Sequence, residues 1–375
     1  MDTASISWLW LALGALAVYV IFRWFGAGNE SRHVDSVSLT RSKENPILRP
    51  DPARSFAREA VFNPAAWYDG ARVHLLYRAL GGDGVSRIGY AVSDDGIHFA
   101  PAAEPAFVMR TPPPAPARFQ NPFADSARRY DRDAHASGGG WGGSEDPRMV
   151  ALDGRVYLSF GVFESWDSLR IALASLSIPA FQNREWNWAP YFFISPPNET
   201  HKNWVLFPEK VHGKFALLHA LTPDVLIDYA DSPGEWAKRP VQSDNRRTGR
   251  KGHWDAFVRG AAAPPIKTKD GWLLLYHGMN PDEGPGYNVG AMLLDLDDPT
   301  KILYRSSAPI LAPTEWYEND WKPGVVYASG AIVKDGTLFV YYGGGDKYVN
   351  VATAPLAKFL SELKATGRAS ITARA

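Results

Sequence analysis

The chain contains no cysteine, and its charges cancel, with 40 Lys and Arg against 40 Asp and Glu. The first absence rules out disulfides, thiolate nucleophiles and cysteine-based zinc sites. The second removes the basic excess that binding to nucleic acid by counterion release requires. His253 and His277 lack metal-ligand spacing, so no metal is expected. Long apolar runs are also scarce. The one such stretch, Ile6 to Phe22, continues past Arg23 into Trp24 and Phe25. It lacks the basic start of a cleaved signal peptide and reads instead as a single transmembrane anchor over residues 1–27. Arg23, Arg32, Arg41 and Lys43 follow it, which places the rest of the chain on the cytoplasmic side of a bacterial inner membrane. Residues 28–58 read as a linker and 59–375 as a single catalytic domain.

What is present in quantity is aromatic: 14 Trp, 16 Tyr and 18 Phe. Such rings fill β-rich cores and also line sugar pockets. From residue 60 the chain repeats a pattern of short apolar run, turn glycine and second apolar run rich in β-formers. The second runs are Val73–Tyr77, Val156–Phe160, Phe215–His219, Trp272–Tyr276 and Leu338–Tyr342. Asp-Gly precedes four of them at 69–70, 153–154, 270–271 and 335–336, a strong hairpin signal. Each hairpin is followed by a further strand-like run, and a Pro- and Gly-rich insertion at 112–143 lengthens the first interval. Four-strand units repeated five times predict an all-β fold, a five-bladed β-propeller, here preceded by the transmembrane helix. A C-terminal amphipathic helix is expected from Pro355 to about Thr366, with Leu356, Phe359, Leu360 and Leu363 on one face.

In such a ring, equivalent positions of successive units converge on one axis. Asn63, Arg78, Asp146, Lys210, His219, His277 and Asp346 occupy strand starts and ends of this kind. The segment Glu145-Asp146-Pro147-Arg148 sets two carboxylates and a guanidinium on a turn whose proline restricts the residue before it. Charges this close tune one another's proton affinity. A basic run at 245–251 and the Gly343-Gly344-Gly345 triplet carry no comparable signal, since no Gly-Lys-Ser/Thr follows the triplet.

These segments resemble glycoside hydrolase family 130, the β-mannoside phosphorylases and related β-mannosidases. The likeness rests on Phe62-Asn63-Pro64, Tyr77-Arg78-Ala79, Ser86-Arg87-Ile88-Gly89-Tyr90, Glu145-Asp146-Pro147-Arg148, Phe207-Pro208-Glu209-Lys210, Tyr276-His277-Gly278 and Gly343-Gly344-Gly345-Asp346, in family order. The resemblance implies an inverting enzyme without a cofactor, with inorganic phosphate as a possible co-substrate. It gives Asp146 the general acid's role, acting through the 3-hydroxyl of the bound mannose. It gives sugar-binding roles to Asn63, Arg87, Glu145, Asp346 and Tyr287, and phosphate-binding roles to Arg78, Lys202, Lys210 and His277. The arginine that the phosphorylases carry after the histidine of one strand is here Ala220, following His219. A lone lysine does not reproduce an arginine fork on phosphate.

Phosphorolysis needs one carboxylate, whereas inverting hydrolysis needs a second, placed to activate water. Glu209, Asp255, Glu283 and Asp346 are the candidates for that base. Arg78, Lys202, Lys210, Arg259 and His277 make the expected funnel cationic, which suits phosphate. Phosphorolysis to mannose 1-phosphate is therefore the leading expectation. Hydrolysis, glycan building by a mannosyl transferase and non-catalytic sugar binding are the alternatives.

Overall fold

A computed structural model of the chain describes residues 39–109, 140, 142–164, 168–244, 246–283 and 286–367. Its hairpins form where the turn chemistry demands. Asp153-Gly154, His212-Gly213 and Asp335-Gly336 each place both central residues at positive φ: 50° and 73°, 51° and 77°, 49° and 73°. That is the backbone of a tight primed turn, whose twist matches the strands on either side.

The strands fall into five successive antiparallel meanders. The first contains Ala60–Tyr68, Val73–Leu80 and Val85–Ser93, and the second Gly142–Leu152, Arg155–Phe163 and Leu169–Ser177. The third is small, with Val205–Leu206, Phe215–Ala220 and Leu226–Ala230. The fourth runs through Phe257–Ala261, Gly271–Met279, Asn288–Leu294 and Ile302–Arg305. The fifth holds Val326–Lys334, Thr337–Gly344 and Tyr348–Pro355. Thr40–Arg41 pairs with Thr353 and Ala352, so a strand from the N-terminal side completes the last meander.

Five hydrophobic clusters fill the gaps between neighbours and show that the order is cyclic. Ile88, Tyr90 and Phe160 lie between the first and second meanders, and Leu173, Leu206 and Leu217 between the second and third. Leu218, Leu274 and Met292 join the third to the fourth; Leu275, Leu293 and Val340 join the fourth to the fifth. Leu75, Tyr341 and Val351 close the fifth onto the first. Each fully buried Leu contributes roughly 1.5–3 kcal/mol, so the ring is held from blade to blade by apolar contact.

The expected architecture needs correction at two points. Among the described residues three α-helices accompany the strands, at Ile178–Gln182, Gly234–Lys238 and Leu356–Thr366. The last buries Phe359, Leu360 and Leu363. More importantly, no helix among the described residues is long and apolar enough to cross a membrane. A single-pass inner-membrane protein with a cytoplasmic catalytic domain is therefore not supported. The stretch on which that expectation fell, 6–25, lies outside the described residues.

Candidate active site

The innermost strands share a defect that builds the site. Register shifts interrupt them between Phe62 and Ala65, Glu145 and Arg148, Val258 and Gly260, and Ala328 and Gly330. A bulge re-aims a side chain and tolerates a proline that cannot donate to the ladder. At the first two bulges Asn63 and Asp146 precede Pro64 and Pro147 and sit at φ 49° and 48°; Asp346 sits at 54° in the fifth meander. Asn and Asp are the non-glycine residues that best accept this left-handed region.

The bulges bring the first two meanders face to face. Asn63 Nδ2 donates to Asp146 Oδ1 at 2.8 Å. Arg78 spans both acids, with Nη2 3.1 Å from Glu145 Oε1 and Nη1 3.3 Å from Asp146 Oδ1, while its Nε donates to Ser86 Oγ at 2.9 Å. Lys202 Nζ, from the third meander, stands 3.7 Å from Glu145 Oε2 and 3.8 Å from Asp146 Oδ2. Two cations thus share two adjacent, buried carboxylates. Gly343 permits the approach of Asn63, since a Cβ there would stand 2.0 Å from Asn63 Oδ1.

Arg148 occupies the axis beneath. Its Nη1 donates to the Asp146 carbonyl at 2.7 Å and its Nε to the Ala262 carbonyl at 3.1 Å. Its Nη2 donates to Asn203 Oδ1 and to the Tyr327 hydroxyl, both at 3.0 Å. Tyr327 in turn donates a short hydrogen bond to Asn203 Oδ1, and Asn203 Nδ2 donates to the Arg259 carbonyl at 3.0 Å. One guanidinium therefore links the second meander to the third, fourth and fifth.

The electrostatics follow from burial and these partners. Burial alone would raise the pKa of Asp146, but Arg78, Lys202, Arg148 and the Asn63 amide outweigh it and hold the group well below the usual carboxylate range. Asp146 is therefore an anion. His277 is fully buried, stacked on Tyr327 with ring centroids 4.2 Å apart. Burial, reinforced by Arg148, lowers its pKa to about 3, so it is a neutral imidazole. Among the described residues neither ring nitrogen has a partner in hydrogen-bond geometry, although the Ala328 backbone lies close enough to favour a proton there. Tyr287 packs against His277 and Tyr327, with the Arg259 guanidinium 5.2 Å from its ring centre. Asp346 is buried and paired with Lys322 at 2.9 Å, within the electrostatic reach of Arg78.

Several expected residues stand elsewhere. Lys210 pairs with Asp153 at 2.7 Å, at the turn that ends the strand carrying Asp146 near its start. Arg87 holds Asp83 at 2.6 Å beside an open cleft of about 400 Å³ that Phe56, Arg58 and Glu104 also line. His219 contacts Ser243 Oγ at 3.0 Å and packs on Trp204, and burial lowers its pKa to about 4. Of the candidate bases, Glu209 pairs with Lys267 on the surface at 2.5 Å. Asp255 is fully buried and bound by Arg250, Arg305 and the Tyr276 hydroxyl at 2.9, 2.7 and 2.6 Å. The side chain of Glu283 lies outside those described.

Sequence reasoning missed Asn203, Tyr327, Lys322 and Arg247. Arg247, at φ 57°, donates to the Thr200 carbonyl at 3.2 Å, two residues from Lys202. Its loop reads as a solvated basic run, and no local motif marks it as reaching inward. Tyr327 had a usable signal, because it opens the innermost strand of the fifth meander. Among the described residues no group of three or more acidic or histidine side chains is placed to hold a metal ion.

The chain is similar to known proteins. A family model described as beta-1,4-mannooligosaccharide phosphorylase matches residues 135–365. The chain is 36% identical over 327 residues to a 1,2-beta-oligomannan phosphorylase of Thermoanaerobacter sp. (strain X514), covering 84% of this chain and 97% of that protein. It is 34% identical over 330 residues to a beta-1,2-mannobiose phosphorylase of the same organism, covering 84% and 96%. The solved complex of a beta-1,2-mannobiose phosphorylase from Listeria innocua with beta-1,2-mannobiose superposes with a TM-score of 0.64 at 24% identity, over 87% of this chain and 99% of that one. At that identity the superposition shows the shared fold alone.

Proposed function

The chain belongs to glycoside hydrolase family 130, and we propose that it cleaves β-mannosidic bonds by phosphorolysis, releasing mannose 1-phosphate. Membership makes it an enzyme of the glycoside phosphorylase and glycosidase group, whose phosphorylases take inorganic phosphate as co-substrate. The observation that carries the phosphorolytic reading is the pair of cations, Arg78 and Lys202, against the Glu145-Asp146 dyad. Hydrolysis would need a second carboxylate facing Asp146 across a water. Glu209 and Asp255 are committed to ion pairs elsewhere, and Asp346 is neutralised by Lys322. Ala220 adds no cation, but the Arg247 guanidinium lies close to the segment that supplies Lys202.

In this reading a phosphate oxygen attacks the anomeric carbon as the glycosidic C–O bond breaks. Asp146 supplies the proton that the departing oxygen needs, relayed through the 3-hydroxyl of the mannose. Asn63 and Asp346 hold that sugar, and the proton left on the phosphate is returned to the site as the product ester ionises. Among its protein neighbours Asp146 is ionised, so it must gain a proton before it can act as an acid. A phosphate dianion seated against Arg78 and Lys202 draws their field away from the dyad and raises its proton affinity. Phosphate thereby loads the acid that it later uses.

Two of the most similar relatives are named for β-1,2 linkages, which favours a β-1,2-mannoside as the substrate. The test incubates the protein with phosphate and either β-1,2- or β-1,4-mannobiose and follows ³¹P resonances. A new mannose 1-phosphate signal from the β-1,2 substrate is expected. Its appearance only with the β-1,4 substrate would overturn the linkage, and its absence with both would overturn the reaction.

A further inference from the structure

Trp316 is the only exposed aromatic side chain among the described residues, at 53% exposure. It is nonetheless held firmly. The Tyr317 and Tyr348 rings meet it edge-on, each at 5.5 Å, with interplanar angles of 79° and 71°. The Arg49 guanidinium lies 5.5 Å from its ring centre. An aromatic ring braced on two edges and covered on one face, yet still more than half exposed, presents its other face to solvent.

Topology puts this ring at the mouth of the site. Asn63 and Asp146 lie near the starts of their innermost strands, at one end of the ring of meanders. The connection that carries Trp316 leads into the start of Val326–Lys334, at that same end. So does the turn between Thr337–Gly344 and Tyr348–Pro355, which contains Asp346. Two links tie the connection to that turn: Lys322 N donates to the Gly345 carbonyl at 3.0 Å, and Lys322 Nζ binds Asp346 at 2.9 Å. At the margin of the ring, Asp320 accepts from Lys347 and from the Tyr348 hydroxyl, both at 2.8 Å.

We propose that Trp316, with Asp320 and Lys347 beside it, is a distal sugar subsite that takes a mannosyl unit beyond the two at the point of cleavage. The inference rests on the β-mannoside reading and deepens it, since it makes an oligomannoside the preferred substrate. A pyranose has an apolar C–H face that stacks on indole and a rim of hydroxyls that bind a carboxylate and an ammonium. Trp316 offers the first surface and the Asp320–Lys347 pair the second. Continuity with the Asp346 turn singles out the substrate chain as the occupant.

The test uses calorimetry on the full chain carrying Asp146→Asn, which holds substrate without turnover, with β-1,2-mannobiose and β-1,2-mannohexaose as probes. Adding Trp316→Ala weakens the hexaose about tenfold, the loss expected for one stacked ring, and the loss does not extend to the biose. Trp316→Phe, which keeps a ring and guards against an effect on folding, retains most of the affinity. Hexaose affinity that ignores the ring, or an equal loss for both sugars, overturns the subsite. A mass fall on Trp316→Ala in light scattering also overturns it, because the ring then packs against a second copy. If the parent protein binds neither sugar, the β-mannoside reading fails together with this inference.

Discussion

Replacing Arg78 by methionine keeps most of the side-chain volume and removes the charge, which isolates what the guanidinium does. Arg78 is 1% exposed and faces Glu145 and Asp146, which are 1% and 8% exposed. Removing one partner of a buried ion pair costs about 3–5 kcal/mol, because an uncompensated charge stays buried. Lys202 remains at 3.7 and 3.8 Å from the two acids, so the loss belongs at the lower end, about 3 kcal/mol at pH 7.5. For a chain of this length that is a fall in Tm of roughly 4 °C. The pH dependence sharpens the test. In the native protein Asp146 is depressed below its unfolded value, so its contribution is fully present above about pH 4 and is lost as pH falls further. In Arg78→Met the dyad is desolvated with less compensation, and its folded proton affinity rises above the unfolded one. The destabilisation then grows as pH rises and shrinks towards pH 4.5, where protonation relieves the charge. Urea melts across pH 4.5–8 read this directly. A variant within 1 kcal/mol of the parent at pH 7.5, or a gap that does not change with pH, would refute the electrostatic account of the dyad.

Asp146→Asn should reduce mannose 1-phosphate release by about 10²–10⁴-fold while leaving circular dichroism unchanged; retained activity would remove Asp146 from the role of acid. Binding of sulfate, a dianion that does not titrate near neutrality, should be accompanied by net proton uptake that grows as pH falls from 6 towards 4.5, because it raises the proton affinity of the dyad. Calorimetry in two buffers of different ionisation enthalpy measures this, and zero uptake contradicts it. Gly343→Ala places a methyl group 2.0 Å from Asn63 Oδ1. It should cost about 1–3 kcal/mol of stability by overpacking and lower turnover further by pushing Asn63 off Asp146, as paired melts and rates would show. Asp255→Asn should destabilise the fourth meander by roughly 3 kcal/mol without lowering turnover per folded molecule; a selective loss of turnover would return Asp255 to the list of bases.

The repeat was legible because Asp-Gly turns and β-branched runs act locally, and the turn conformations at 153–154 and 335–336 follow from those residues alone. Glu145-Asp146-Pro147-Arg148 stood out as a candidate for the same reason, since the bulge and its proline lie in one short segment. Lys210 pairs with Asp153; position in a repeat does not say which end of a strand a neighbouring side chain reaches. Asp255 looked like a base until Arg250 and Arg305, distant in sequence, closed around it. Asn203 and Arg247 carry no local pattern. Their roles come from contacts across meanders, which a linear reading does not encode.

Whether phosphate or water attacks the mannosyl carbon is decided by one measurement. Product formation from β-1,2-mannobiose is followed with phosphate present and with phosphate rigorously removed. Mannose 1-phosphate in the first case and no cleavage in the second is the predicted result. Free mannose released at the same rate in both would contradict it and make water the nucleophile.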